Sequence, residues 1–104
     1  ATVVLEIASG YDQAQLKTMA ASAAARGGVV AGLISATEPV LVVLARSADV
    51  PVDVSVVLNT LLGQAGGKGG GKPGLAQGGG MSGSPAQIQA ALQTIIEREL
   101  QPSP

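Results

Sequence analysis

The chain of 104 residues contains no cysteine, histidine, phenylalanine or tryptophan, and Tyr11 is its one aromatic residue. The missing cysteine and histidine together exclude disulfide scaffolds, zinc knuckles, thiol nucleophiles, imidazole bases and Ser-His-Asp triads. Charge is scarce as well. Six lysines and arginines face seven aspartates and glutamates, 12% of the chain, for a formal net charge of -1. No global field therefore draws the chain to nucleic acid or anionic membrane, so a polyanion site has to be local. The seven acids show no pairing at metal-ligand spacing, and helix caps or solvated faces account for them. A long uninterrupted apolar run is also absent: Val29 to Ala45 is broken by Glu38 and Pro39, which excludes a membrane-spanning helix there and reads as two strands. No basic region followed by an apolar stretch marks a secretory signal. The length suits one domain, residues 1–104, and the start at Ala1 fits a fragment of a larger protein.

What is present is aliphatic. Valine, leucine and isoleucine supply 28 residues, enough to build a core. TVVLEI over Thr2 to Ile7 predicts a first strand. From Asp12 the period changes: Leu16, Met19, Ala20 and Ala23 share one helical face, Asp12 and Gln15 form a capping box, and Gly27-Gly28 stops the helix. Val29 to Ser35 and Val40 to Ala45 predict an antiparallel hairpin across the polar link Ala36 to Pro39. Asp53 caps a second helix running to Gln64. Ser84, Pro85 and Gln87 open a third, with Ile88, Leu92, Ile95 and Ile96 on its apolar stripe. Gln101 to Pro104 have nothing to pack and are expected to fray. The fold class is α/β: a small single-domain mixed sheet with three helices, ordered β-α-β-β-α, glycine-rich loop or short strand, then α.

Eleven of the fifteen glycines lie between Gly63 and Gly83, and Gly66 to Gly80 read GGKGGGKPGLAQGGG. A flexible linker here would leave the third helix without a core to join, so residues 66–80 are expected to be ordered, with strand character at Leu75 to Gln77. Glycines let main-chain amides approach an anion, and successive residues with positive φ can turn them inward as a nest. Lys68 and Lys72 add charge beside Gly69, Gly70 and Gly71, and Ser84 places a helix N-terminus close by in sequence. Lys-Pro follows the glycines instead of Lys-Ser or Lys-Thr, so the run is not a nucleotide-hydrolysing P-loop. On the residues alone, two readings stay open: a phosphate site, or glycines used for sheet packing with lysines that keep the loop soluble.

The run resembles the glycine motif of the DHH-associated domain found at the C-terminus of alanyl-tRNA synthetases, typically GG(K/R)GGG(R/K)PDMAQGGG. Element order and spacing agree along essentially the whole chain. The resemblance implies a non-catalytic tRNA-binding domain that meets the tRNA elbow, where the D and T loops join, and assists aminoacylation and editing of alanine tRNA. The implied tRNA or phosphate site comprises Lys68, Gly69, Gly70, Gly71, Lys72, Gln77, Gly78 and Gly79. ATP and zinc then belong to upstream catalytic and editing domains of the same parent chain, this domain needs no cofactor, and the expected setting is cytoplasmic. Gly74 stands where the family often has aspartate and Leu75 where methionine is usual, while Lys72 in place of arginine keeps the charge but gives up the bidentate fork. The related DHH phosphoesterases and RecJ-type nucleases carry a cognate domain whose motif commonly includes histidine, which makes that assignment the runner-up. A protein-interaction or homodimerisation module is the alternative of another class. Lys17, Arg26 and Arg46 read as solvated side chains, and Tyr11 as a residue at the core edge with base stacking as the lesser reading.

Overall fold

A computed structural model of the chain describes residues 2–36 and 39–100. Within them the order is β1 (Thr2–Ala8), α1 (Gln13–Ala24), β2 (Val29–Ser35), β3 (Val40–Arg46), α2 (Val54–Ala65), β4 (Lys68–Lys72), β5 (Leu75–Met81) and α3 (Pro85–Leu100). Each helix begins where a side chain caps an orphan amide. Asp12 accepts from the Gln15 amide at 2.8 Å while the Gln15 side chain accepts from the Asp12 amide at 2.9 Å. The Asp53 carboxylate accepts from the amides of Ser55 and Val56. Ser84 and Gln87 repeat the reciprocal box at the start of α3. Gly27 and Gly28, both at positive φ, carry the chain out of α1 and into β2. The fraying expected of Gln101 to Pro104, and the centre of the predicted link at Thr37 and Glu38, lie outside the described residues.

The five strands form one mixed sheet ordered β1-β2-β3-β5-β4. β1 and β2 run parallel, joined by the α1 crossover, and every other pair is antiparallel. Side chains alternate between the two faces, so Val30, Ile34, Val42 and Leu44 join α2 and α3 in the larger core, while Leu33, Val43 and Ala45 pack under Leu16 and Ala20 of α1 in a smaller one. The hairpin predicted from the two apolar runs is β2-β3, buried on both faces as those runs imply.

One buried polar residue ties the smaller layer together. Ser47, 2% exposed, donates its hydroxyl to the Ala24 carbonyl at the end of α1 and accepts the Val29 amide at 3.0 Å. It thereby satisfies both sides of the turn from α1 into β2.

α1 lies on β2 and β3 and stops short of the far edge, whereas α2 and α3 share the opposite face. This asymmetry leaves the β4-β5 hairpin supported from one side by α2 and uncovered on the side of α1.

Candidate nucleic-acid interface

More of the glycine run is strand than the sequence predicts. Lys68 to Lys72, read there as loop, form β4, and the strand character expected at Leu75 to Gln77 extends through Met81 as β5. Gly69, Gly70 and Gly71 have no left-handed φ, so the anion nest considered for them is not formed; positive φ occurs instead at Gly66 and Gly67 before β4 and at Gly80 near the end of β5. The physical reason is close approach between the two strands. A β-carbon at Gly69 would lie 2.4 Å from the Gln77 carbonyl oxygen, and one at Gly71 would lie 2.4 Å from that of Leu75. Low strand propensity hides such an element from sequence reasoning, because glycine is depleted from strands in general and is required here by contact with the neighbouring main chain.

The hairpin is locked to the body at its turn. The Pro73 carbonyl accepts from the Val54 amide at the start of α2 and from Arg46 Nε, both at 3.0 Å, while the Gly74 carbonyl accepts from the Arg46 amide. Beneath the strands, a β-carbon at Gly78 would meet Leu58 of α2 at 3.3 Å, so Gly78 belongs to the packed face.

Register sorts the rest. Lys68 opposes Gly79, Gly70 opposes Gln77 and Lys72 opposes Leu75, and opposed residues share a face. This is the side of α1, since a β-carbon at Gly79 would meet Leu41 of the α1 layer at 2.6 Å. A groove of about 250 Å³ opens on it, lined by Lys17, Gly70, Gly71, Lys72, Leu75 and Gln77. Of the eight sequence-predicted site residues, the fold thus gathers Gly70, Gly71, Lys72 and Gln77 in one groove. It sets Lys68 and Gly79 on the same face farther along the hairpin, turns Gly78 toward α2, and presses Gly69 against β5. Ser84 does not line the groove, and its hydroxyl already accepts the Gln87 amide.

Lys17 is the residue that sequence reasoning missed. It follows buried Leu16 on α1, and only the placement of that helix over β2 and β3 brings its neighbour to the hairpin. No acid lines the groove, and the side chains of Lys17, Lys68 and Lys72 have no ion-pair or hydrogen-bond partner among the described residues. The local positive charge that the overall balance lacks is therefore assembled on this face.

The model of the DHHA1 domain family matches residues 1–99. The chain belongs to the DHHA1 domain family. The resemblance carried by the glycine run is thereby borne out. Among solved structures, the C-Ala domain from Aquifex aeolicus alanyl-tRNA synthetase matches with a TM-score of 0.81 and 21% identity, over 95% of this chain and 91% of that one. At that identity the likeness establishes a common fold. A comparison with curated proteins gives no match.

Other candidates in this DHHA1 domain take structural roles or stand apart. Arg46, read as a solvated side chain, braces the hairpin turn through Pro73 and donates to the Ser47 carbonyl. Asp53 at the start of α2 has its pKa lowered, first by the Ser55 hydroxyl that donates to it, with the backbone amides of Ser55 and Val56 and the Arg46 charge adding to the effect. Tyr11 is 47% exposed, at a shallow depression with Thr18 and Met19 on the flank of α1, and is not part of the groove. Among the described residues no cluster of three acids could hold a metal ion, and no helix is long and apolar enough to cross a membrane.

Proposed function

We propose that this DHHA1 domain is the non-catalytic tRNA-binding domain of an alanyl-tRNA synthetase, holding the elbow of alanine tRNA so that upstream domains can aminoacylate and edit it. The observation that carries this reading is the uncovered hairpin face: Lys68 and Lys72 flank a strand without side chains, unopposed by acids, in a protein whose net charge is -1. Charge confined to one face recruits a polyanion in a single orientation, and an extended glycine strand allows a sugar-phosphate backbone to approach the main chain. The shared fold with the C-Ala domain from Aquifex aeolicus alanyl-tRNA synthetase supports the choice of parent enzyme. The lack of histidine weighs against a cognate phosphoesterase domain, whose motif commonly includes that residue. On this reading ATP and zinc serve the upstream domains, the partners of this chain are tRNA and those domains, and its setting is cytoplasmic.

Competition between folded alanine tRNA and a linear RNA of equal length tests the proposal. Both carry the same charge, but the folded molecule alone presents apposed D and T loops. Preference for the folded tRNA is the expected result. Equal affinity would reduce the site to non-specific charge contact, and no binding of either would remove the tRNA reading.

A further inference from the structure

We infer that Lys17 and Lys72 form the two walls, and the main chain at Gly70-Gly71 the floor, of a seat for a single phosphate group of the RNA backbone. This inference rests on the tRNA-binding reading and adds to it a residue outside the glycine run. The first argument is the identity of residue 70. Gly69 and Gly71 are glycine because a β-carbon would strike the main chain of β5, at 2.4 Å in each case. Gly70 lies between them with an ordinary φ, and a β-carbon there would meet nothing within 4 Å. The fold does not demand glycine at 70. A ligand drawn close to the strand would favour it, because a methyl group at this position would stand in the groove that Gly70 lines and hold an anion away from the amides.

The second argument is chemical. Lys17 lines the groove from α1 and Lys72 from the end of β4, so two lysines on different elements border one small space. Neither has a partner among the described residues, and the groove lining contains no carboxylate. Gln77, half-buried in the same lining, carries an amide that has no hydrogen-bond partner among the described residues. Its NH2 group is suited to a phosphate oxygen or a ribose hydroxyl. The seat is thus cationic at two walls, polar at the third and bare at the floor. Lys68, on the same face but outside the groove, is left to a neighbouring phosphate.

The test uses the 104-residue chain labelled with nitrogen-15 and titrated separately with folded alanine tRNA and with inorganic tripolyphosphate, alongside K17A, G70A and the control G74A. Gly74 is chosen because a β-carbon there also meets nothing within 4 Å, yet the residue lies outside the groove. The amide spectrum of each variant reports its fold independently of binding. The expected result is that both ligands shift the amides of Lys17, Gly70, Gly71 and Gln77. K17A should weaken tRNA binding about fivefold at 0.15 M salt, the share of one phosphate contact in a slope of about 0.7 to 0.9 per contact. G70A should also weaken it, and G74A should bind as the unmodified chain does. If tRNA binds while K17A and G70A match the unmodified chain, the phosphate seat is overturned and the tRNA reading stands. If tripolyphosphate shifts these amides and K17A abolishes the effect while tRNA fails to bind, the seat stands and the tRNA reading falls. Silence of these amides with both ligands overturns the seat.

Discussion

Alanine substitution at two adjacent glycines of β4 should have opposite effects on stability. At Gly71 the new methyl carbon would lie 2.4 Å from the Leu75 carbonyl oxygen, 2.5 Å from the Ala76 Cα and 2.8 Å from the Ala76 β-carbon. Favourable carbon contacts lie at about 3.5 to 4.0 Å, so the overlap is about 1 Å, and two of the three atoms are main chain that no rotamer change can move aside. β4 must then shift away from β5, at a cost of about 1 to 3 kcal/mol. At Gly70 the same methyl meets nothing within 4 Å. Its main effect is to restrict the unfolded chain, which stabilises the protein by about 0.4 to 1 kcal/mol. The expected gap between G71A and G70A is therefore about 1.4 to 4 kcal/mol. Urea unfolding followed by far-ultraviolet circular dichroism measures it, since the chain has no tryptophan to report by fluorescence. In a domain of this size each kcal/mol moves Tm by about 4 to 8 °C, which gives a second readout. Equal stability of the two variants would refute the reasoning and show that the glycine run is a tether instead of a packed strand.

Two further outcomes follow from the fold. S47A removes the buried hydroxyl that bonds both Ala24 and Val29, taking its acceptor from the Val29 amide while the Ala24 carbonyl keeps the Gly27 amide, and should cost about 1 to 3 kcal/mol in the same unfolding measurement. Asp53 has a folded pKa below its ordinary value of 3.8, so its contribution to stability is complete above that value and is lost as pH falls through the lowered one. The Tm difference between D53A and the unmodified chain should accordingly be full well above the ordinary value and shrink as pH falls through the lowered one, and S55A should reduce the pH-dependent part because the Ser55 hydroxyl is the leading cause of the shift.

Elements with a strong local signal were legible in the sequence. The capping boxes at Asp12-Gln15 and Ser84-Gln87 and the apolar runs of β2 and β3 name their own residues, and the structure places helices and strands where those patterns predict them. β4 was not legible, because its five residues contain three glycines and two lysines and are all exposed. What makes it a strand is the main chain of β5 and the support of α2 beneath, both supplied by tertiary contact. The candidate site shows the same division. Lys72, Gly70 and Gln77 could be read from one run of sequence, but their alignment on one face depends on register. Lys17 lies fifty-five residues before Lys72, and no local pattern in α1 marks which flank of that helix faces the hairpin. The roles of Arg46 and Ser47 were hidden likewise, since each bonds segments that the sequence gives no reason to join.

The central claim is that a positive face built on the glycine hairpin binds tRNA, and the salt dependence of binding tests it most directly. Affinity of folded alanine tRNA for the unmodified chain and for the K68A/K72A double variant should be measured between about 50 and 200 mM salt, with each variant's fold checked by circular dichroism. The two lost contacts should lower the magnitude of the slope of log K against log salt by about 1.4 to 1.8 in total, so that the fall in affinity across this range is about tenfold smaller for the double variant. Its binding at every salt concentration in that range should also be weaker, with the fold unchanged. An identical slope and affinity in the double variant would contradict the account and move the interface away from the glycine hairpin.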